Sequence, residues 1–147
     1  MLKNRMIIPC IIMLAGISFA QESGIGVGIS SVGINGKYWI NETSAIVGQI
    51  GSSRITATYV FEDPEMLKLL DTPTPVYYGA GAIIGTHKDD EDNETEIDFG
   101  LNCTIGIAYH LSGYTVDIFF EENPTLYLLG GKGLELFNFN LGIRYFF

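Results

Sequence analysis

The chain has 147 residues, of which 17 are acidic and 8 are basic, so its formal net charge is −9. This length predicts one domain. The acidic balance repels nucleic acid phosphates and argues against a role in binding them.

The first twenty residues have the features of a cleaved secretory signal peptide. Two basic residues precede an apolar run from Met6 to Ile17, and Ser18–Ala20 supplies small residues at the cleavage point. The apolar run is shorter than the roughly 20 residues that a membrane-spanning helix needs. We therefore expect a signal peptide at residues 1–20 and a mature domain at residues 21–147, with a net charge of −11.

Cys103 is the single cysteine of the predicted mature domain, because Cys10 falls in the signal peptide. An intrachain disulfide is therefore not expected, although the chain is exported. A zinc site built on cysteines would need several thiolates or imidazoles and is not expected either. The sequence predicts no cofactor and no metal.

The mature chain repeats its apolar residues with a period of two, which is typical of strands. The run from Phe99 to Leu111 is the clearest example, with large apolar residues on one face and Gly, Asn, Thr and Ala on the other. The pattern predicts eight strands, at Gly24–Ser30, Gly33–Ile40, Ala45–Gly51, Arg54–Phe61, Val76–Gly85, Ile97–Leu111, Thr115–Glu122 and Phe137–Phe147.

Two connections are predicted without strand structure. Met66–Leu70, between Pro64 and Pro73, predicts one short amphipathic turn of helix. Asn123–Glu135 contains several turn-forming residues and predicts an extended hairpin connection.

Eight antiparallel strands with polar turns fit either a soluble barrel with an apolar interior or a transmembrane barrel with an apolar exterior. The less apolar strand face is rich in Gly, Ala, Asn and Thr, and these small residues suit the narrow interior of an eight-stranded barrel. Aromatic residues also gather near the predicted strand ends, as in membrane barrels; they are Tyr38, Tyr59, Phe61, Tyr77, Tyr78, Tyr109, Tyr114, Tyr145, Phe146 and Phe147. We therefore predict an all-β fold, an eight-stranded antiparallel up-and-down transmembrane β-barrel.

The charged residues of the strands all fall on the face opposite the apolar stripe. They are Lys37, Arg54, Asp117, Glu121 and Arg144. We expect them to form a charge network inside the barrel, with Arg144 as a partner for Glu121 or Asp117 on the neighbouring strand. Paired charges in so narrow a barrel plug the lumen more readily than they line a pore.

Four segments resemble small, uncharacterised bacterial outer-membrane β-barrel proteins, and more broadly the eight-stranded OmpA/OmpX class. They are "GINGKYWINETSAI", "PVYYGAGAIIG", "VDIFFEENP" and "FNLGIRYFF". The resemblance implies that Tyr145 and Phe147 belong to an assembly signal that the barrel-assembly machinery of Gram-negative bacteria reads. It also implies contact with outer-membrane lipids and lipopolysaccharide. Ile83, on the predicted lumen face, departs from the long polar residue that the family suggests there.

Two groups of residues invite a chemical role. The acidic stretch from His87 to Glu96 has carboxylates that suit Ca²⁺, but it lacks the glycine of an EF-hand loop and is better explained as a solvated loop. His110, Ser112 and a carboxylate on the next strand, Asp117 or Glu121, could in principle serve acyl transfer. A histidine at the rim of a turn is the simpler interpretation.

From the sequence we expect a monomeric integral outer-membrane protein, with a structural or surface-interaction role carried by its extracellular loops. We expect no enzymatic activity. A narrow channel for small solutes and a lipid A-modifying enzyme remain as alternatives.

Overall fold

The computed structural model describes residues 24–69, 71–88, 94–111 and 114–147. The predicted signal peptide and residues 89–93 of the acidic stretch lie outside these ranges. The strand segments, in chain order, are β1 (Ile25–Ser30), β2 (Gly33–Asn41), β3 (Ser44–Gly51), β4 (Arg54–Leu69), β5 (Thr72–Lys88), β6 (Thr95–His110), β7 (Val116–Glu122), β8 (Thr125–Leu129), β9 (Leu134–Glu135) and β10 (Phe139–Phe146). Within the described ranges, no helix is long and apolar enough to cross a membrane.

Hydrogen bonds close these segments into one antiparallel barrel. Neighbours pair in the order β5-β4-β3-β2-β1-β10-β7-β6, and the pairing of β5 with β6 closes the ring. β7 and β8 pair with β6 in the same register as far as Tyr127 opposite Gly100, where a one-residue shift follows, so they are two parts of the seventh strand. β9 and β10 pair with β8 and β7 and form the eighth strand. The predicted all-β, eight-stranded antiparallel barrel is therefore confirmed as a fold.

The two ends of the barrel differ in their connections. β1 begins and β10 ends at the same end, which we call the terminal end; it also holds the turn between β2 and β3. The opposite end, called the loop end, holds the short turns at Ser31–Val32 and Ser52–Ser53 and the connection between β5 and β6. The loop-end connections from β1 to β2 and from β3 to β4 are therefore tight, while the connections from β5 to β6 and from β8 to β9 are longer.

The helical turn predicted at Met66–Leu70 is wrong. β4 continues to Leu69 and pairs with the start of β5, with Leu67 opposite Thr74 and a register irregularity after Asp63. Asp71, with φ of 62°, supports the turn between the two strands. The physical reason is that one isolated helical turn is costly to nucleate, whereas strand pairing satisfies the same backbone groups at once.

The connection predicted at Asn123–Glu135 is also partly wrong, because β8 and β9 form a hairpin within it. The strand continues through the Asn-Pro pair because the Pro124 carbonyl still accepts a hydrogen bond from the Cys103 amide, at 2.9 Å. The Asn123 amide likewise donates to the Asn138 carbonyl at 3.0 Å. Turn-forming residues therefore interrupt the strand pattern in the sequence without ending the pairing.

Apolar side chains cover the outside of the barrel and polar side chains fill the inside. Ile29 is 71% exposed and Ile97 is 70% exposed, and apolar residues hold the outward positions along most of each strand. The terminal-end part of β4 differs, because Asp63, Glu65 and Lys68 are exposed there. The fully buried side chains include Arg144, Lys37, Glu121, Asn35, Asn102 and Asn140, together with Tyr77, Phe119 and Ile83. This distribution is the reverse of that in a water-soluble domain.

Glycines on the inner face make room for the large lumen side chains. A methyl group added at Gly106 would lie 2.5 Å from the Tyr77 ring and 2.8 Å from Glu121 Cβ. A methyl group added at Gly142 would lie 2.5 Å from the Phe119 ring. The alternation of glycine with bulky residues therefore packs a lumen that is only wide enough for a few side chains.

We expect Gly106→Ala to destabilise the barrel by about 1–3 kcal/mol, because the added methyl group overpacks the lumen against Tyr77. Gly48→Ala is the matched control, since the nearest atom to a methyl group there is the Thr56 carbonyl oxygen at 3.8 Å. Urea unfolding of both variants in detergent, followed by far-ultraviolet circular dichroism, measures the difference. Equal unfolding midpoints for the two variants would contradict the packing argument.

Candidate functional site: the polar lumen

Four of the five charged residues predicted to face the lumen are buried there. Lys37, Asp117, Glu121 and Arg144 are each less than 9% exposed. Arg54, the first residue of β4, lies at the loop end with its side chain 23% exposed. The structure thus divides the five residues between a closed middle section and a more open mouth, and they do not form one continuous network.

Lys37 forms an ion pair with Glu62, which lies two strands away on β4. The lysine Nζ also lies 4.0 Å from the centroid of the Trp39 ring and 5.3 Å from that of Tyr77, within cation–π range. Glu62 was not among the predicted residues, because the predicted fourth strand ended at Phe61. Continuing the alternation of Thr56, Thr58 and Val60 by one further step would have placed it in the lumen.

Glu121 is the hub of the middle section. Its carboxylate accepts hydrogen bonds from four neutral side chains: Gln49 Nε2, the Tyr77 hydroxyl at 2.7 Å, Asn140 Nδ2 at 2.9 Å and Asn123 Nδ2 at 3.4 Å. These donors come from β3, β5, the seventh strand and β10. Hydrogen bonds to a charged acceptor are stronger than those between neutral groups, so one carboxylate ties opposite walls of the barrel together.

Tyr77 lies in the lumen, although the sequence grouped it with aromatic residues near the strand ends. It is fully buried, whereas its neighbour Tyr78 is 53% exposed. Adjacent residues of a strand point to opposite faces, so only one of the two tyrosines could lie on the outside. The glycine at position 106 provides the space that Tyr77 occupies.

Arg144 makes contacts different from those expected. Its Nε donates to Asn35 Oδ1 at 2.9 Å, and its guanidinium carbon lies 4.3 Å from the centroid of the Phe119 ring. Asp117 is directly opposite Arg144 in the strand register, but it is paired with His110 Nδ1 at 2.6 Å. Within the described part of the chain, the expected ion pair of Arg144 with Asp117 or Glu121 is not formed. The long arginine side chain instead crosses the Phe119 ring toward β2.

The mouth at the loop end holds a second polar cluster. Arg54 Nη2 donates to Asn138 Oδ1 at 2.7 Å, and Nη1 lies 3.8 Å from Glu135 Oε1. The Tyr127 hydroxyl donates to Glu135 Oε2 at 3.2 Å. Sequence reasoning missed Tyr127 and Glu135 because it placed both in a connection and not in paired strands.

Asp98 anchors the β8–β9 hairpin to the mouth. It is fully buried, with Lys132 Nζ 3.2 Å from Oδ2 and His87 Nδ1 2.9 Å from Oδ1. Gly130, with φ of 96°, allows the hairpin to pass close to this carboxylate, because a side chain at that position would collide with it. The Asp98 carboxylate of β6 therefore contacts both β5, through His87, and the β8–β9 hairpin, through Lys132.

The residues of the predicted assembly signal lie on the outer face of the last strand. Tyr145 is 48% exposed, and its ring centroid is 5.0 Å from that of Phe147. The Phe147 amide donates to the Ile25 carbonyl at 3.1 Å, and β10 pairs with both β1 and β7. The C-terminal strand therefore completes the ring.

Among the described residues, the other candidates for chemistry form one pair. His110 and Asp117 are paired at the rim, but Ser112 lies outside the described residues. Cys103 is a free thiol on the outer face. Within the described ranges, no group of three or more His, Cys, Asp or Glu side chains is placed to hold a metal ion.

Comparison with known proteins gives no assignment: no protein-family model, curated protein or solved structure matches this chain significantly. The function is therefore argued from the barrel itself.

We expect Lys37→Met to destabilise the barrel by about 3–5 kcal/mol, because it leaves the Glu62 carboxylate buried without its cation. The double variant Lys37→Met/Glu62→Leu should lose less stability than Lys37→Met alone, since no buried charge is left unpaired. Lys68→Met, at an exposed position of the same sheet, should change stability by at most about 0.5 kcal/mol. Urea unfolding measures all three, and a double variant that loses as much stability as Lys37→Met alone, or more, would contradict the pairing.

Proposed function

We propose that the protein is an integral β-barrel of a bacterial outer membrane, with a structural or surface-interaction role carried by its loop end. The observation that carries the proposal is the reversed distribution of side chains. Exposed Ile, Leu, Phe and Tyr side chains surround the barrel, while Lys37, Glu121 and Arg144 are buried inside it. Water would penalise this outer surface, whereas lipid tails match it.

The same arrangement supports the resemblance to small outer-membrane barrels noted in the sequence. Such barrels enter the membrane through assembly machinery, and the paired C-terminal strand with outward Tyr145 and Phe147 suits recognition of that kind. We propose outer-membrane lipids and lipopolysaccharide as its surroundings and a monomer as its working form. Ring closure by β1 and β10 leaves no open sheet edge along this seam.

Catalysis is the weaker alternative. The pair of His110 and Asp117 offers a base and a carboxylate that orients it. A nucleophile is also needed, and the candidate Ser112 lies outside the described residues. The pair is explained more simply as a rim contact that joins β6 to β7, and for this reason we favour a non-catalytic role.

The proposal is tested by cell fractionation combined with gel mobility before and after heating. We expect the exported protein in the outer-membrane fraction, and we expect unheated samples in mild detergent to migrate differently from boiled ones, because a closed barrel resists unfolding by detergent. Recovery of the protein in the periplasm, or solubility without detergent, would overturn the membrane assignment.

A channel is the other alternative, and the packing of the lumen opposes it. Arg144, Phe119, Tyr77 and Glu121 are all less than 2% exposed, so the middle section leaves these side chains no contact with open solvent. We expect the purified protein to give no discrete conductance steps in planar lipid bilayers. Reproducible single-channel steps from the wild-type protein would favour the channel.

A further inference from the structure

The apolar belt on the outside of the barrel has very different heights on opposite sides. β1, β2 and β3 have 6, 9 and 8 residues, whereas β5 and β6 have 17 and 16. The outward positions of β2 are apolar from Ile34 to Ile40, and those of β6 from Ile97 to Tyr109. The second stretch is twice as long as the first.

These lengths convert into heights along the barrel axis. A residue rises about 3.3 Å along a strand, and a tilt of about 40° reduces this to roughly 2.5 Å of height. The belt is therefore about 15 Å high at β2 and about 30 Å high at β6. An outer-membrane barrel normally has an apolar band of about 25 Å, so β6 exceeds that band while β2 falls about 10 Å short.

The missing height is at the loop end. Ile40 and Tyr109 both lie next to terminal-end turns, so the belt starts at a similar level on the two sides. On the short side it stops at Ile29, Ile34 and Ile50, and the exposed serines of the two tight turns follow directly. We call the outer face of β1–β3 the short wall.

A polar cleft lies immediately above the short wall. It has a volume of about 350 Å³ and is bordered by Ser31, Ser52, Ser53 and Arg54, together with Val32, Gly51 and Phe139. Arg54 is the cationic group at its border; the guanidinium also contacts Asn138 and Glu135, and the side chain is 23% exposed. Hydroxyl groups and a guanidinium suit the phosphate of a lipid headgroup, whereas they do not suit acyl chains.

We propose that the bilayer is thinned beside the short wall, so that the phosphate-bearing headgroups of membrane lipids there descend to the polar cleft. The inference rests on the proposed membrane location. The occupant is lipid because the short wall continues the same apolar belt without interruption, and the cleft above it is polar where acyl chains would otherwise lie. Thinning toward a short apolar surface has a modest cost for each Å of mismatch, whereas acyl chains offer the turn serines and Arg54 no hydrogen-bond partner.

The chain offers a matched pair of positions for the test. Cys103 on β6 is an exposed thiol that lies six residues from Tyr109, and Ile34 on β2 lies six residues from Ile40. The two positions are therefore at the same distance from the terminal-end edge of the belt. One is on the tall side and the other is at the top of the short wall.

The experiment compares two single-thiol proteins in dioleoylphosphatidylcholine vesicles, both carrying Cys10→Ala. The first keeps Cys103, and the second carries Cys103→Ser and Ile34→Cys. Each is labelled with a fluorophore and quenched by lipids that carry a nitroxide either on the headgroup or deep in the acyl chain. We expect the ratio of headgroup to acyl quenching to be several-fold higher at position 34 than at position 103.

The other results are decisive as well. Equal ratios at the two positions, with both labels quenched, would overturn the thinning and leave the membrane assignment standing. Quenching at position 103 together with no quenching at position 34 would show that a second copy of the chain covers the short wall, and would also overturn the proposal. Absence of quenching at both positions would refute the membrane assignment itself.

Discussion

Partnering of polar side chains inside a closed ring is the constraint on which the rest of this structure depends. Eight strands enclose a space that side chains fill, and a buried charge without a partner is strongly destabilising. Glu121 meets this demand with four neutral donors and Lys37 meets it with Glu62. Because the partners come from different strands, satisfying the charges also holds the strands in register.

The lumen glycines meet a second requirement of the closed ring, which is space for the large buried side chains. A lumen that holds Arg144, Tyr77 and Phe119 at one level has no room for side chains on the facing positions. Gly106 and Gly142 supply that room. The small residues on one strand face therefore pack against a few large residues on the neighbouring strands. A substitution in either set requires a compensating substitution in the other.

The sequence predicted the barrel because alternation over ten or more residues is a strong local signal, as in the strand through Phe99 and Leu101. It also placed Lys37, Glu121 and Arg144 on the inner face. It did not predict the partners, since those depend on the register between strands. Glu62 was not predicted to face the lumen because the predicted fourth strand ended one residue before it. Thr125–Leu129 was not predicted as a strand because the Asn-Pro pair before it is typical of a turn. Turn-forming residues and short apolar runs carry no information on long-range pairing.

The outer belt and the inner network depend on each other, and together they support the proposed membrane location. In water, the exposed apolar side chains of every long strand would favour opening the ring and burying them against one another. Opening the ring would expose the backbone edge of β1 or β10 and separate Glu121 from donors on β3 and β5. Lipid tails remove the tendency of the exposed apolar side chains to bury one another, and they raise the free-energy cost of an unpaired strand edge. In the proposed membrane location, the unequal height of the belt would have to be matched by the bilayer, because a rigid closed ring cannot shorten its tall side to match its short wall.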